Sequence, residues 1–167
     1  NHTLLAVLAH PDDESFGMGG TLAHYARNGT KVFLITATRG EAGTVDPKML
    51  VGFDSVADLR ESELRCAAES LGLSGVYFLD CRDSGMPGSV DNQNPAALIN
   101  QPLESVAGKL ANLIRQIKPQ VVITHDPIGG YKHPDHIQTH KITLRAFHLA
   151  GDASFKSDLE PFQPAKL

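Results

Sequence analysis

The residues best equipped for chemistry lie in two short stretches. The first is Ala9-His10-Pro11-Asp12-Asp13-Glu14, and the second runs from His125-Asp126-Pro127 through Gly129-Gly130-Tyr131-Lys132 to His133-Pro134-Asp135-His136. The triplet His-Pro-Asp occurs in both. Imidazoles and carboxylates together are the ligand set that suits Zn²⁺ or Fe²⁺. A catalytic zinc takes three protein ligands and leaves one position open to water. His10 and Asp13 flank a tight turn and can face one ion, and one further His from the second stretch completes the set. Asp12 then remains as a carboxylate where a general base is needed. A second His, not bound to metal, can stabilise an oxyanion or protonate a leaving amine.

Plainer roles exist for each residue taken alone. Asp12, Asp13 and Glu14 suit the first turn of a helix, where the macrodipole favours negative charge. His133 suits the N-cap of a helix whose first residue is Pro134. The pairing of two such loops is what points to a site. His136 and His140 have the spacing of a His-Glu-x-x-His zinc helix, but Ile137-Gln138-Thr139 supplies no Glu. His125 is a ligand or a supporting group, ranked below His136. His2, His24 and His148 read as surface or packing residues.

Two such loops act together only if the fold brings them together. Thr3–Ala9, Lys31–Thr38, Val76–Leu79 and Gln120–Thr124 are apolar runs of strand length. Between and after them, Ser15–Asn28, Val56–Leu71, Leu103–Ile117 and Pro134–Leu149 carry apolar residues at helical spacing. Gly29 and Gly72 are placed to stop two of these helices, and Pro119 a third. Asp83–Pro102 is a turn-rich loop and a candidate substrate lid. Continuous apolar strands alternating with helices predict an α/β fold: a Rossmann-like, mostly parallel sheet with helices on both faces. Such sheets bind ligands beyond the carboxyl ends of their strands. Both His-Pro-Asp loops fall there.

Composition narrows the function classes. The chain has 167 residues, expected to form a single α/β domain over 1–167. Its 15 Lys+Arg against 19 Asp+Glu give net −4, so no basic face for nucleic acid is expected. No apolar run approaches a membrane span. Two cysteines, Cys66 and Cys81, exclude a disulfide scaffold and a cysteine-based zinc site. Of 8 His, five lie between His125 and His148, a density that demands a reason. No secretory signal is visible, and a cytoplasmic setting is expected. A rival class is a Rossmann-like nucleotide-binding module, since Gly17-x-Gly19 follows the first strand and Glu41 the second. Leu22 stands where the third glycine belongs, and three acidic residues occupy the phosphate position. A non-catalytic metal-binding homologue is the other rival.

The stretch AHPDDESFGMGG (Ala9–Gly20), with HPDH (His133–His136) downstream, resembles the PIG-L/LmbE-like deacetylases, from about Leu4 to about Leu149. Intermediate matches are TATRGEAG (Thr36–Gly43), LRESELRCAAESLG (Leu59–Gly72) and the segment Arg82–Met86. The resemblance implies a zinc hydrolase that removes N-acetyl groups from N-acetylglucosamine-type sugars, with Fe²⁺ or another divalent ion as an alternative metal. It implies His10, Asp13 and His136 as metal ligands and Asp12 as general base. It implies His133 for oxyanion stabilisation or general acid work, with Asp135 orienting it, and Tyr131 reaching the substrate carbonyl. Arg60 and Asp83 match substrate-contacting positions, and Glu41 is expected to line the pocket beside them. The same resemblance implies a homo-oligomer. It also implies a chain trimmed at its C-terminus, because relatives usually continue past a segment like Pro161–Leu167.

Overall fold

The computed structural model describes residues 2–167. Four strands alternate with four long helices: β1 (Thr3–Leu8), α1 (Asp13–Arg27), β2 (Lys31–Thr36), α2 (Val56–Leu71), β3 (Gly75–Phe78), α3 (Leu103–Ile117), β4 (Val121–Thr124) and α4 (Pro134–Gly151). Short 3₁₀ turns at Pro47–Leu50, Val90–Gln93 and Leu98–Asn100 interrupt the longer loops. The sheet is wholly parallel, in the order β3-β2-β1-β4. Leu5 of β1 pairs with Phe33 on one side and Val122 on the other.

Both faces of the sheet are covered, as its continuous apolar strands require. Side chains alternate across a strand. Leu5 and Val7 of β1 therefore join Val122, Leu110, Ile114 and Ile142 in the core under α3 and α4. Leu4, Ala6 and Leu8 join Val32, Leu34, Leu22 and Leu64 in the core under α1 and α2.

The helix ends follow local chemistry. Ser55 caps α2 by accepting the Asp58 N–H at 3.1 Å, and Gly72 closes it in the left-handed region at φ 74°. Pro134 is the first residue of α4, and His133 is its cap. Helix α1 starts at Asp13, two residues ahead of the sequence expectation, with Asp13 and Glu14 in its first turn. It kinks at Met18, where φ is −150°, within the glycine-rich run Gly17–Gly20. The segment Asp83–Pro102 is firmly tied: Asn92 donates to the Ser84 carbonyl, Arg82 pairs with Asp91, and Ala97 and Leu98 are fully buried.

The strand order has one functional consequence. The chain builds outward from β1 through β2 to β3, then crosses back to place β4 on the other side of β1. The loops leaving β1 and β4 consequently diverge over opposite faces and open a crevice between them, where parallel sheets bind ligands.

Candidate active site

The two His-Pro-Asp loops meet in that crevice. His10, His133 and His136 are each buried, between 5% and 7% exposed, and Asp135 is at 0%. The ligand atoms of His10, His133 and His136 lie within 4.8 Å of one another, as do those of Asp13, His125 and His136. His10, Asp83 and Asp135 form a third such group. The ligands expected from sequence, His10, Asp13 and His136, are thus spread over two overlapping clusters that share His136.

Asp13 is the hinge of the arrangement. Its Oδ2 accepts the backbone N–H of His10 at 2.8 Å and of Ala9 at 3.2 Å. Its Oδ1 lies 3.3 Å from His136 Nε2. Burial opposes charge on Asp13, but its contacts with His125 and His136 and the field of His10 outweigh it, and its pKa falls well below the usual carboxylate range.

His10 sits among carboxylates. Its Nε2 is 3.1 Å from Asp135 Oδ2 and 3.6 Å from Asp83 Oδ1, and its Nδ1 is 3.7 Å from Asp13 Oδ2. Burial works against the charged imidazolium, but the hydrogen bonds to Asp135 and Asp83 prevail and push its pKa up to about 10. A protonated His10 balances the negative charge around it. A metal cation bound at this cluster would take the place of that proton.

The donors fit a divalent metal on a direct structural ground. His136 Nε2 is buried and has no hydrogen-bond partner, and Asp135 Oδ1 is buried and equally unpartnered. Orphaned buried polar atoms are costly. His136 Nε2 and a carboxylate oxygen of Asp13, 3.3 Å apart, are two donors that one cation can take together.

Beside the cluster lies a cavity of about 220 Å³ lined by His10, Asp12, Arg60, Asp83, Tyr131 and His133, with Ala42, Gly43, Thr44, Gly85 and Met86. A larger hollow of about 510 Å³, beside Asn112 and Lys156–Leu159, lies on a different surface and contains no histidine. Asp12 has a left-handed backbone, φ 96°, uncommon for a residue with a side chain. Glu14 holds its N–H at 3.0 Å, and Arg60 Nη2 donates to its Oδ2 at 2.6 Å and to the Pro11 carbonyl at 2.5 Å. Asp12 remains about half exposed. Burial raises its pKa and the Arg60 charge opposes that rise.

His133 faces the cavity as a neutral ring. Its Nδ1 accepts the Asp135 backbone N–H at 3.2 Å, which leaves Nε2 as the donor nitrogen. Burial and the positive charge of His10 lower its pKa to about 4. Tyr131 stands at the rim, 66% exposed, with its ring 5.8 Å from that of His133.

Two positions, Asp135 and Glu41, differ from the sequence expectation. The Asp135 carboxylate does not orient His133; it accepts from the Ser84 N–H at 2.9 Å and meets His10 instead. Its place in the first turn of α4 aims it across the crevice. Glu41 is not among the residues lining the cavity: its Oε2 accepts the Asp83 N–H at 3.0 Å, so it holds Asp83 from behind. Arg60 reaches the cavity, but its guanidinium is engaged by Asp12. Asp83 does face inward, braced by the N–H groups of Gly85 and Ala42.

Sequence reasoning underrated His125. It stacks flat on His136 and approaches Asp13. The signal was its place one residue beyond Thr124, which pairs with Val7 of β1. That register carries His125 alongside the start of the first loop.

Fold and site together define an α/β protein with a His/Asp cluster able to hold a divalent metal ion at the switch point of a parallel sheet. The chain belongs to the PIG-L family, whose model, described as GlcNAc-PI de-N-acetylase, matches residues 5–147. It is 43% identical over 99% of its length to a 1D-myo-inositol 2-acetamido-2-deoxy-alpha-D-glucopyranoside deacetylase of Streptomyces scabiei. A protein of the same name from Kineococcus radiotolerans is 45% identical over 98% of the chain. The chain spans about half the length of these relatives, 54% and 50%. Among solved structures it resembles the N,N'-diacetylchitobiose deacetylase of Pyrococcus horikoshii, with a TM-score of 0.77 and 27% identity over 96% of this chain and 57% of that one. A zinc-inhibited form of a teicoplanin deacetylase matches with a TM-score of 0.64 and 26% identity, over 87% of this chain and 63% of that one.

Proposed function

We propose that residues 1–167 form one catalytic α/β domain of a zinc-dependent N-deacetylase that acts on N-acetylglucosamine-type sugars or glycoconjugates. The observation that carries this reading is the unpartnered, buried His136 Nε2 facing Asp13, in a cluster with His10 and His133, which line a cavity also presenting Asp12.

In this reading His10, Asp13 and His136 hold the metal. A zinc ion held there supplies a nucleophile by acidifying a water molecule and polarises an amide carbonyl. Asp12, half exposed and fixed by Arg60, accepts the proton of the attacking water. His133, neutral, lining the cavity and with Nε2 as its donor nitrogen, donates to the oxygen on which negative charge develops. Tyr131 at the rim, its ring 5.8 Å from that of His133, is placed to reach the same oxygen. Asp83 and Arg60 are placed to take sugar hydroxyls, a role Arg60 combines with holding Asp12. The amine leaves with a proton returned from Asp12, and acetate is released. Zinc is the metal the family likeness favours, with Fe²⁺ as the alternative, since two imidazoles and one carboxylate suit both.

The nucleotide-binding alternative loses support here. The Ala9 and His10 N–H groups that a phosphate would need are occupied by Asp13. A non-catalytic role is disfavoured because Asp12 and His133 both line the cavity. No helix among the described residues is long and apolar enough to cross a membrane. A cytoplasmic setting agrees with the free thiols of Cys66 and Cys81. No nucleic-acid partner is proposed, given the net charge of −4. Family likeness supports a homo-oligomer, which light scattering checks.

The test is direct. Zinc-loaded protein is incubated with N-acetylglucosaminyl-inositol and, separately, N,N'-diacetylchitobiose, and free amine and acetate are measured. Stoichiometric release that stops on chelation is expected. His136→Ala should retain less than about a tenth of the bound zinc on elemental analysis. No release from fully loaded wild-type protein on any N-acetylamino sugar would overturn the reading.

A further inference from the structure

A metal-ligating imidazole is normally held in plane by a hydrogen bond to its second nitrogen. His136 Nε2 has no hydrogen-bond partner and faces Asp13 Oδ1 at 3.3 Å, the side from which a metal would come. A neighbouring ring constrains this imidazole. His125 lies against His136 with centroids 4.0 Å apart and planes only 11° from parallel. The other rings around His136 are all inclined and farther away: His133 at 5.0 Å and 32°, His10 at 5.3 Å and 44°, Tyr131 at 5.3 Å and 69°.

His125 touches the second expected ligand as well. Its Nε2 is 3.4 Å from Asp13 Oδ2, and it accepts the Ala9 N–H at 3.1 Å, the same N–H that Asp13 accepts. His125 is itself fixed. Its carbonyl pairs with His140 Nδ1 at 2.8 Å, one turn beyond His136 on α4. The end of β4 and the ligand-bearing turn of α4 are therefore locked to each other.

We propose that His125 is a positioning residue that fixes the ring plane of His136, and that it does so by stacking and packing rather than by ligating metal. The proposal rests on the reading of the cluster as a metal site. It also gives His140 a purpose, as the group that anchors the His125 backbone.

The experiment compares wild type, His125→Ala and His125→Phe by zinc competition against a chromophoric chelator, with the absorption bands of the Co²⁺-substituted proteins as a second readout. Phe preserves the flat stack and removes both nitrogens. Binding by His125→Ala is expected to weaken about tenfold to a hundredfold. His125→Phe should bind within about threefold of wild type with unchanged Co²⁺ bands, and this variant decides the matter if the alanine protein does not fold. Alanine binding as tightly as wild type overturns the proposal while leaving the metal site intact. Phenylalanine binding as weakly as alanine overturns it too, and a shifted Co²⁺ spectrum there makes His125 a ligand. Failure of wild type itself to bind zinc overturns the site reading instead.

Discussion

The same tripeptide, His-Pro-Asp, serves the site twice and does opposite work each time. In the first copy, the aspartate is Asp12, outside helix α1, in a left-handed backbone conformation and half exposed to the cavity. In the second, the aspartate is Asp135, inside the first turn of α4 and fully buried. The histidines diverge as well. His10 is pushed towards its charged form by carboxylates, and His133, shielded and beside a positive neighbour, is held neutral. The cause is where the helix begins. Pro134 opens α4, so Asp135 points back into the crevice and meets His10 of the other copy. Helix α1 begins only at Asp13, so Asp12 is left on the approach to the site. An identical sequence thus yields one half-exposed carboxylate paired with Arg60 and one buried carboxylate that meets the histidine of the other loop.

The sharpest way to break this contrast is to neutralise the free carboxylate. Asp12→Asn should lower kcat by about 10² to 10⁴, with zinc content and melting temperature near those of wild type. Loss of zinc in that variant would place Asp12 among the ligands and erase the distinction.

The buried counterpart should fail differently. Asp135→Ala leaves the His10 charge and the Ser84 N–H without their partner. A stability loss of about 3–5 kcal/mol is expected from urea denaturation of the metal-free protein, with weakened zinc binding. A loss no larger than that of Asp12→Asn would mean the two aspartates are equivalent after all.

The histidine contrast has a pH signature. The folded pKa of His10, about 10, lies above its ordinary value of 6.5. Its contribution to stability is therefore fully present below pH 6.5 and lost as pH rises towards 10. Thermal melts of chelator-treated protein should show a falling melting temperature from pH 7 to pH 10, and Asp135→Asn should flatten that fall. The lowered pKa of His133 acts oppositely, eroding stability as pH drops from 6.5 to about 4. A pH-independent melt across the alkaline range would refute the charged state of His10.

The smallest effect sharpens how Asp12 is held. A Cβ on Gly43 would stand 2.7 Å from Arg60 Nη1, and Gly43 needs no left-handed backbone. Gly43→Ala should displace the guanidinium that braces Asp12 and cost about tenfold in kcat, with zinc affinity unchanged. Unaltered turnover would show that Asp12 does not depend on Arg60.

Much of this was legible in residue order alone. Helices α2 and α3 fall on the residues their periodicity and terminal Gly72 and Pro119 indicate, because those signals are local. Helix α1 starts two residues before Ser15 because Asp13 and Glu14, which belong to the first His-Pro-Asp stretch, also suit the first helical turn, where the macrodipole favours their charge. The partner of Asp135 was misread because sequence proximity favours His133, two residues away, whereas the helix turns the carboxylate towards His10, 125 residues distant. Glu41 was expected on the cavity wall, and only the packing of its loop against Asp83 shows that it stands behind.

By itself the sequence determined the strand and helix alternation, the two His-Pro-Asp loops and the chemistry their side chains can offer. These depend on local periodicity, on proline and glycine, and on the identity of donor atoms. The tertiary structure alone decided which carboxylate meets which imidazole. That outcome depends on strand order, on the register of β1 with β4, and on the direction in which each helix start throws its side chains. His125 shows the difference most plainly: in sequence it is a ligand or a supporting group ranked below His136, and only the tertiary structure stacks it flat on that ring.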